Sequence, residues 1–464
     1  MLTDGFDPGR VLRTALASGG EFAEIYAEET LNTSIVCEEE KIEKVVSGRE
    51  RGCGVRVIAG LKTFYAFTDD LTEEGLVETA RVVAAAVRSG EQAGELGPVS
   101  RSRAPGFDIG KDPMDAPLSS KVGLVTRGER TARAVDDRVV QVRVVYGDGR
   151  RRVCVVNSLG DHVEEERTSV LYLCQVVARE GDVIQTGYEP VGGAAGLELL
   201  DETPPEEVAE TAARRAVMML GARKAPGGTM TVVLSSEAGG TMVHEAIGHG
   251  LEADLAGQGL SVYSGRMGEE VASPLVTVID DATIPYKRGS FFFDDEASPA
   301  RRTVLVEKGV LRSYMYDRLN AMRYGAASTG NGRRQSYRHR PIPRMTNTLI
   351  APGETPPRDI LASVDRGLYV KKMGGGQVNT VNGDFVFEVT EGYLIENGEA
   401  GEPVRGATLT GNGPEILTKI DMVGSDLGYG IGTCGKDAQG VPVSDAQPTL
   451  RIPEITVGGE APVK

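Results

Sequence analysis

The sequence predicts an α+β chain, with antiparallel sheets and packed helices in its N-terminal half and a β-rich C-terminal domain. Runs such as Glu24-Ile25-Tyr26-Ala27-Glu28 and Val55-Arg56-Val57-Ile58 alternate at period two, as half-buried strands do. Leu76, Val77, Ala80, Val83, Ala84 and Val87 recur instead at helical spacing. The chain also holds 60 glycines in 464 residues, nearly twice the usual share of about 7%. There is no Gly-X-Y period, so the excess reads as turns and close backbone approaches rather than disorder.

Asp7-Pro8 opens a short helix whose apolar face is Val11, Leu12 and Leu16 and which Gly19-Gly20 ends. Residues 21–68 follow as an antiparallel sheet with turns at Glu38-Glu39-Glu40-Lys41 and Ser47-Gly48-Arg49, and the helix at 76–87 packs on one face of it. Residues 90–118, rich in Gly, Pro and Ser, read as a linker or long surface loop. A helix over 119–135 precedes strand-like runs at 139–146, 151–157 and 169–178. Gly147-Asp148-Gly149 and Ser158-Leu159-Gly160 join these runs, which are expected to form another antiparallel sheet. Pro204-Pro205-Glu206-Glu207 starts a helix through Val208, Ala212, Ala216 and Leu220. Gly227-Gly228 then marks entry to a glycine-rich region of short strands, 231–234 and 275–279 among them. The expected domains are an N-terminal α+β domain (1–105), a middle α+β domain (106–225) and a β-rich C-terminal domain (226–464).

Fifty-one basic against 67 acidic residues leave a net charge of −16, which repels phosphate backbones, and the absence of Trp removes the best stacking platform. Nucleic acid is therefore not an expected partner. No run reaches the roughly 18–20 apolar residues of a membrane span, and the N-terminus lacks the pattern of a signal peptide, so no membrane partner and a cytoplasmic location are expected. Five widely spaced cysteines are an odd set that reads as reduced thiols. Cys37, Cys53, Cys154 and Cys174 fit strands as small hydrophobes. Cys434, within Gly432-Thr433-Cys434-Gly435-Lys436-Asp437, has no apolar periodicity around it.

Function concentrates in His244-Glu245-Ala246-Ile247-Gly248-His249. Two imidazoles and a carboxylate on one short segment are the kit of a zinc hydrolase, in which the histidines hold metal and the Glu takes a proton from water. The histidines are i and i+5, which an ideal α-helix sets roughly 140° apart; one π turn of about 4.4 residues brings them within about 50°. Gly248 would ease that distortion. A third ligand is needed from Cys434, Glu252, Asp254, His162 or His339. Cys434 is the choice, because a thiolate is a strong soft ligand and its glycine neighbours let a loop on a rigid sheet come close. A His2Cys set leaves a fourth position open, as catalytic sites do. Glu252 and Asp254 read as groups that orient the histidines. The alternative, hydrogen-bonded core histidines beside a surface Glu, is disfavoured because two of only four histidines fall within six residues.

The stretch 244–254 (HEAIGHGLEAD), the segment Gly406-Ala407-Thr408-Leu409-Thr410-Gly411-Asn412-Gly413, and 432–451 from Gly432-Thr433-Cys434-Gly435-Lys436-Asp437 to Gln447-Pro448-Thr449-Leu450-Arg451 resemble the TldD/PmbA family of metallopeptidases. Ala23-Glu24-Ile25-Tyr26 and Gly54-Val55-Arg56-Val57 resemble its first domain, so the resemblance spans nearly the whole chain. It implies a β-rich C-terminal metallopeptidase domain of the TldD type, one zinc per chain on His244, His249 and Cys434, and Glu245 as the base. It also implies cleavage of unfolded peptides inside a dimer chamber, formed as a homodimer or as a heterodimer with a PmbA-type subunit.

The expected function is thus a zinc metallopeptidase hydrolysing peptide bonds of unfolded polypeptides, with substrate laid as an added strand along a sheet edge. Candidate substrate contacts are Gln377 and Asn379, after Gly374-Gly375-Gly376, and Arg338 and His339 in the basic stretch 333–340, which equally reads as a solvated loop or dimer contact. The alternatives are a non-catalytic peptide-binding or regulatory subunit and a metal-dependent hydrolase of a small amide.

Overall fold

The computed structural model describes residues 2–87 and 95–459, and the backbone of 461–462; residues 90–94 of the expected linker lie outside the described residues. Phe22–Glu38, Lys41–Ala59 and Lys62–Thr68 form antiparallel hairpins as the alternation requires. The first hairpin turns at Glu39 and Glu40, both at positive φ.

The strands of the next segment do not make a sheet of their own. Val139–Asn157 pairs antiparallel with Phe22–Glu38, setting Ile25 opposite Val156 and Ile35 opposite Tyr146. Asp161–Glu180 and Val183–Gly193 continue outward, and Ser100–Ala104 joins in parallel, for seven strands in all. Two of the expected turns are strand interior. Ser47-Gly48-Arg49 lies within Lys41–Ala59, and Gly147-Asp148-Gly149 within Val139–Asn157. The latter strand is paired on both sides, which satisfies its backbone. Buried Asp148 meets Lys121 Nζ at 2.6 Å and the Tyr146 hydroxyl at 2.6 Å, so it has no need of local turn bonds. Ser158-Leu159-Gly160 does turn, with Asn157 Oδ1 accepting from the amides of Leu159 and Asp161. Helices Pro8–Ala15 and Glu73–Ala86 pack on Ile25, Val55 and Val57, and helices Leu118–Ala134 and Pro205–Leu220 on Ile35, Val144 and Tyr172.

In the C-terminal region five strands close into a barrel. Arg366–Val378, Pro226–Leu234, Leu450–Gly458, Thr408–Asn412 and Asp384–Glu396 pair in that order, and the last returns to the first. Val232, Leu234, Leu368, Phe387, Leu409 and Ile452 belong to its core. Beside it lies a six-stranded sheet ending in Asn347–Ile350, Gln439–Gln447 and, at the edge, Gly428–Lys436. The strand expected at 275–279 is Val278–Asp281 of this sheet.

Buried charges tie the first sheet to this region. Arg56 Nη1 lies 2.6 Å from Glu296 Oε1, and Arg334 Nη2 lies 2.6 Å from Glu24 Oε1, with all four side chains almost fully buried. Among the described residues no helix is long and apolar enough to cross a membrane.

Candidate metal centre

The motif segment enters as a helix at Thr241–Val243, makes one π turn at His244–Gly248 and tightens to a 3-10 turn at His249–Leu251. The His249 amide donates to the His244 carbonyl, the i to i+5 bond that the histidine spacing demands. The two imidazoles accordingly face one another, ring centres 5.0 Å apart and nearly perpendicular. The segment is braced on several sides. Asp445 Oδ1 accepts from the Gly240 amide at 2.9 Å, and the Tyr263 hydroxyl donates to the Ala246 carbonyl at 3.0 Å. A Cβ on Gly413 would stand 2.4 Å from that same carbonyl, so only glycine lets helix Gly413–Lys419 pack there.

Cys434 arrives from an element other than the expected loop. It sits in the edge strand Gly428–Lys436, which pairs with Gln439–Gln447 and turns at Asp437 and Ala438, both at positive φ. The glycines at 428, 430, 432 and 435 hide the alternation in the sequence. Two of them allow close approach, since a Cβ on Gly428 would meet Ser236 O at 2.1 Å and one on Gly430 would meet Asp445 Oδ1 at 2.5 Å.

The ligand-type atoms of His244, His249 and Cys434 all lie within 4.8 Å of one another, and Cys434 Sγ is 3.5 Å from His249 Nε2. Metal–ligand bonds of about 2.0–2.3 Å at tetrahedral angles space ligand atoms roughly 3.3–3.8 Å apart, so this pair has the separation a shared ion needs. His244 Nδ1 is buried without a hydrogen-bond partner. Two imidazoles and a thiol at this spacing are a donor set that fits a divalent metal. Burial alone would raise the Cys434 thiol, but the hydrogen bonds and charges of His244 and His249 bring it down to about 5. Glu245, half-buried between the histidines, is pushed up from the usual carboxylate range chiefly by burial.

Behind these groups stands a layer that the sequence identified only in part. Fully buried Glu252 meets His249 Nδ1 at 3.1 Å and Lys436 Nζ at 3.0 Å, with Arg344 3.9 Å away. Burial opposes its charge, yet Lys436, His249 and Arg344 bring the carboxyl down to about 2. Asp254 accepts from Lys436 Nζ at 2.6 Å, so both acids stand behind His249 and the lysine rather than in the three-ligand cluster. Nothing in the sequence alone assigns Lys436 or Arg344 a contact in this layer. Arg344 donates to the Cys434 carbonyl, and its signal was only its place after the basic stretch.

The other candidates lie apart from this cluster. His162 belongs to the first sheet. Gln377 and Asn379 are exposed at the end of Arg366–Val378, where Asn379 Oδ1 accepts from the Val381 amide. Arg338 pairs with Glu50 at 2.6 Å, and His339 meets the Ser336 hydroxyl at 3.0 Å; both border a cavity of about 380 Å³ between the first sheet and the C-terminal region. Arg333 and Arg334 of the same stretch are buried and bonded, to Pro442 O and Glu24 respectively, whereas Arg338 and Arg340 are exposed. A separate cleft of about 410 Å³ is bordered by Tyr429 and Ile431 of the edge strand, Tyr188 and Glu189, Gly374 and Gly375, and Thr241 at the head of the motif segment.

Three segments match known domains: residues 23–87 the PmbA/TldA metallopeptidase domain 1, 111–220 the central domain, and 227–459 the C-terminal domain. A metalloprotease TldD homolog of Haemophilus influenzae is 38% identical over 95% of this chain and 93% of its own length. A metalloprotease of Methanothermobacter thermautotrophicus is 37% identical over 95% of this chain and 96% of its own. A crystal structure from Thermotoga maritima, described as a proposed modulator of a DNA gyrase, superposes with a TM-score of 0.80 at 23% identity, covering 96% of this chain and 98% of that one, a likeness of fold alone.

Proposed function

The chain belongs to the PmbA/TldD family of metallopeptidases, and on that premise we propose that it is a zinc peptidase acting on extended, unfolded polypeptides, with Glu245 as general base. The observation that carries this reading is the convergence of two imidazoles and the Cys434 sulfur beside Glu245. His244, His249 and Cys434 would hold the ion, and a donor set of two nitrogens and one sulfur suits zinc. Bound zinc supplies Lewis acidity, polarising a carbonyl and lowering the pKa of water toward about 7. Glu245 accepts the proton from the attacking water and returns it to the departing amine. Glu252 holds His249 by its Nδ1 and so fixes which nitrogen faces the cluster.

The strand that carries Cys434 is a sheet edge beside the 410 Å³ cleft, which supports a peptide seated there by backbone pairing with little demand on its sequence. Pairing with a second copy or with a PmbA-type subunit is part of the proposal, and light scattering on the pure chain tests it.

The deciding experiment pairs zinc content with cleavage of an unfolded polypeptide, for the wild-type chain and Glu245→Ala. Zinc content unchanged with cleavage lost supports both the metal site and the base. Cleavage surviving in the variant overturns the role of Glu245. Zinc held with no cleavage by either chain, alone or with a PmbA-type subunit, turns the reading to a peptide-binding subunit.

A further inference from the structure

Among the described residues one other group brings a thiol, an imidazole and a carboxylate together. The ligand-type atoms of Cys154, His162 and Glu164 lie within 4.8 Å of one another, in the first sheet rather than the C-terminal region. The hairpin makes this convergence a matter of register. Cys154 stands directly opposite Glu164, and His162 lies two residues along the same strand, opposite Val156, so all three share one face. Opposed and diagonal neighbours on one face of an antiparallel pair are within reach of such side chains. The turn at Ser158-Leu159-Gly160 fixes the register.

Cys154 is 1% and His162 5% exposed, so these polar atoms are withdrawn from water. His162 Nε2 and Glu164 Oε1 are both buried without a hydrogen-bond partner. They stand 3.9 Å apart, too far for a hydrogen bond of about 2.7–3.2 Å. The distance is close to the roughly 3.3–3.8 Å between ligands of one tetrahedral ion. A histidine and a carboxylate that served only packing would close that gap, since unsatisfied buried polar atoms are costly. Cys154 and Glu164 also border a cavity of about 130 Å³, with Leu2, Arg103 and Arg152. It offers an ion a path inward and room for a water as fourth ligand.

We propose that Cys154, His162 and Glu164 form a second cation site, which takes a soft or borderline divalent ion, zinc foremost. A thiolate, a neutral imidazole and a carboxylate carry two negative charges, which a divalent ion would balance within the ligand set itself. All three ligands come from one hairpin, so the ion would clamp the turn at 158–160 and stiffen the sheet that faces the C-terminal region. This site is independent of the peptidase reading, and its test is run with two of the first site's three ligand-type residues removed.

The full chain carrying His249→Ala and Cys434→Ser is titrated with cobalt(II), a spectroscopic stand-in for zinc. Expected are one bound cobalt per chain with thiolate-to-metal absorption, and loss of both on adding Cys154→Ser. Thermal unfolding provides the second readout: zinc should raise the midpoint of the doubly substituted chain, and Cys154→Ser should abolish that zinc-dependent rise, each chain being compared with itself in chelator, because a hydroxyl at this buried position lowers the midpoint on its own. If Cys154→Ser does not fold, His162→Gln is read in the same two ways. No bound cobalt in the doubly substituted chain, or binding that neither substitution alters, overturns the proposal.

Discussion

His249 presents its Nδ1 to Glu252 Oε2 at 3.1 Å and its Nε2 to Cys434 Sγ at 3.5 Å, so one buried carboxylate sets the orientation of a ring that points at the Cys434 sulfur. Removing the charge of Glu252 without removing its shape should loosen that ring. Partners of this kind typically account for about 10–100-fold in metal affinity. Glu252→Gln is therefore expected to weaken zinc by that factor in a competition titration while the chain stays folded. Wild-type affinity in the variant would mean that the contact does not position the ligand.

Gly413 offers a steric test of the π turn. A Cβ there would stand 2.4 Å from the Ala246 carbonyl, a backbone atom that cannot swing aside. Overpacking of this kind costs about 1–3 kcal/mol, and the displaced atoms lie between His244 and His249. Gly413→Ala should lower both the unfolding midpoint and zinc affinity, read by thermal denaturation and metal titration on the same preparation. A loss of stability with zinc affinity intact would show that the turn yields without moving its histidines.

The π turn was legible because a spacing of five between two histidines has few helical solutions. The long strands were not. Gly147-Asp148-Gly149 has the composition of a turn, and only the tertiary partners of Asp148, Lys121 and the Tyr146 hydroxyl, make it strand interior. Cys434 stands out in the sequence for its lack of apolar periodicity, yet it lies in a strand whose alternation is masked by glycines. Its thiol chemistry is plain from the sequence, and its place on a sheet edge only from the structure. Lys436 and Arg344 were illegible because a buried cation shows its purpose only when its acceptors, Glu252 and the Cys434 carbonyl, are seen beside it.

Arg334 tests the tie between the first sheet and the C-terminal region. Its Nη2 donates to Glu24 Oε1 and to Asp295 O, each at 2.6 Å, and nothing of its side chain is exposed. Arg334→Met leaves Glu24 with only Arg56 at 3.4 Å. Breaking one partner of a buried pair costs about 3–5 kcal/mol, so the variant should unfold at distinctly lower urea. Adding Glu24→Gln should recover part of the loss, because the stranded charge goes with it. A single-variant loss below about 1 kcal/mol would show that water or Arg56 takes over the contact.

Asp317 makes stability depend on pH in a direction that can be worked out. Burial first, and the neighbouring Glu296 second, raise its carboxyl to about 7, against the opposing charge of Arg56 and the hydrogen bonds from Asn320. The unfolded chain gives this group its ordinary value of about 3.9. Between those values the folded chain keeps a proton that the unfolded chain releases. This contribution is full below about pH 4, is lost as pH rises to about 7, and changes little beyond. Asp317 Oδ1 also caps helix Arg318–Tyr324 by accepting from the Asn320 amide at 2.9 Å, a bond an Asn at this position retains. Asp317→Asn should therefore gain stability relative to wild type as pH rises from about 5 to about 8, measured by urea denaturation at the two values. A difference between the two chains that stays constant over this window would mean that Asp317 does not titrate there.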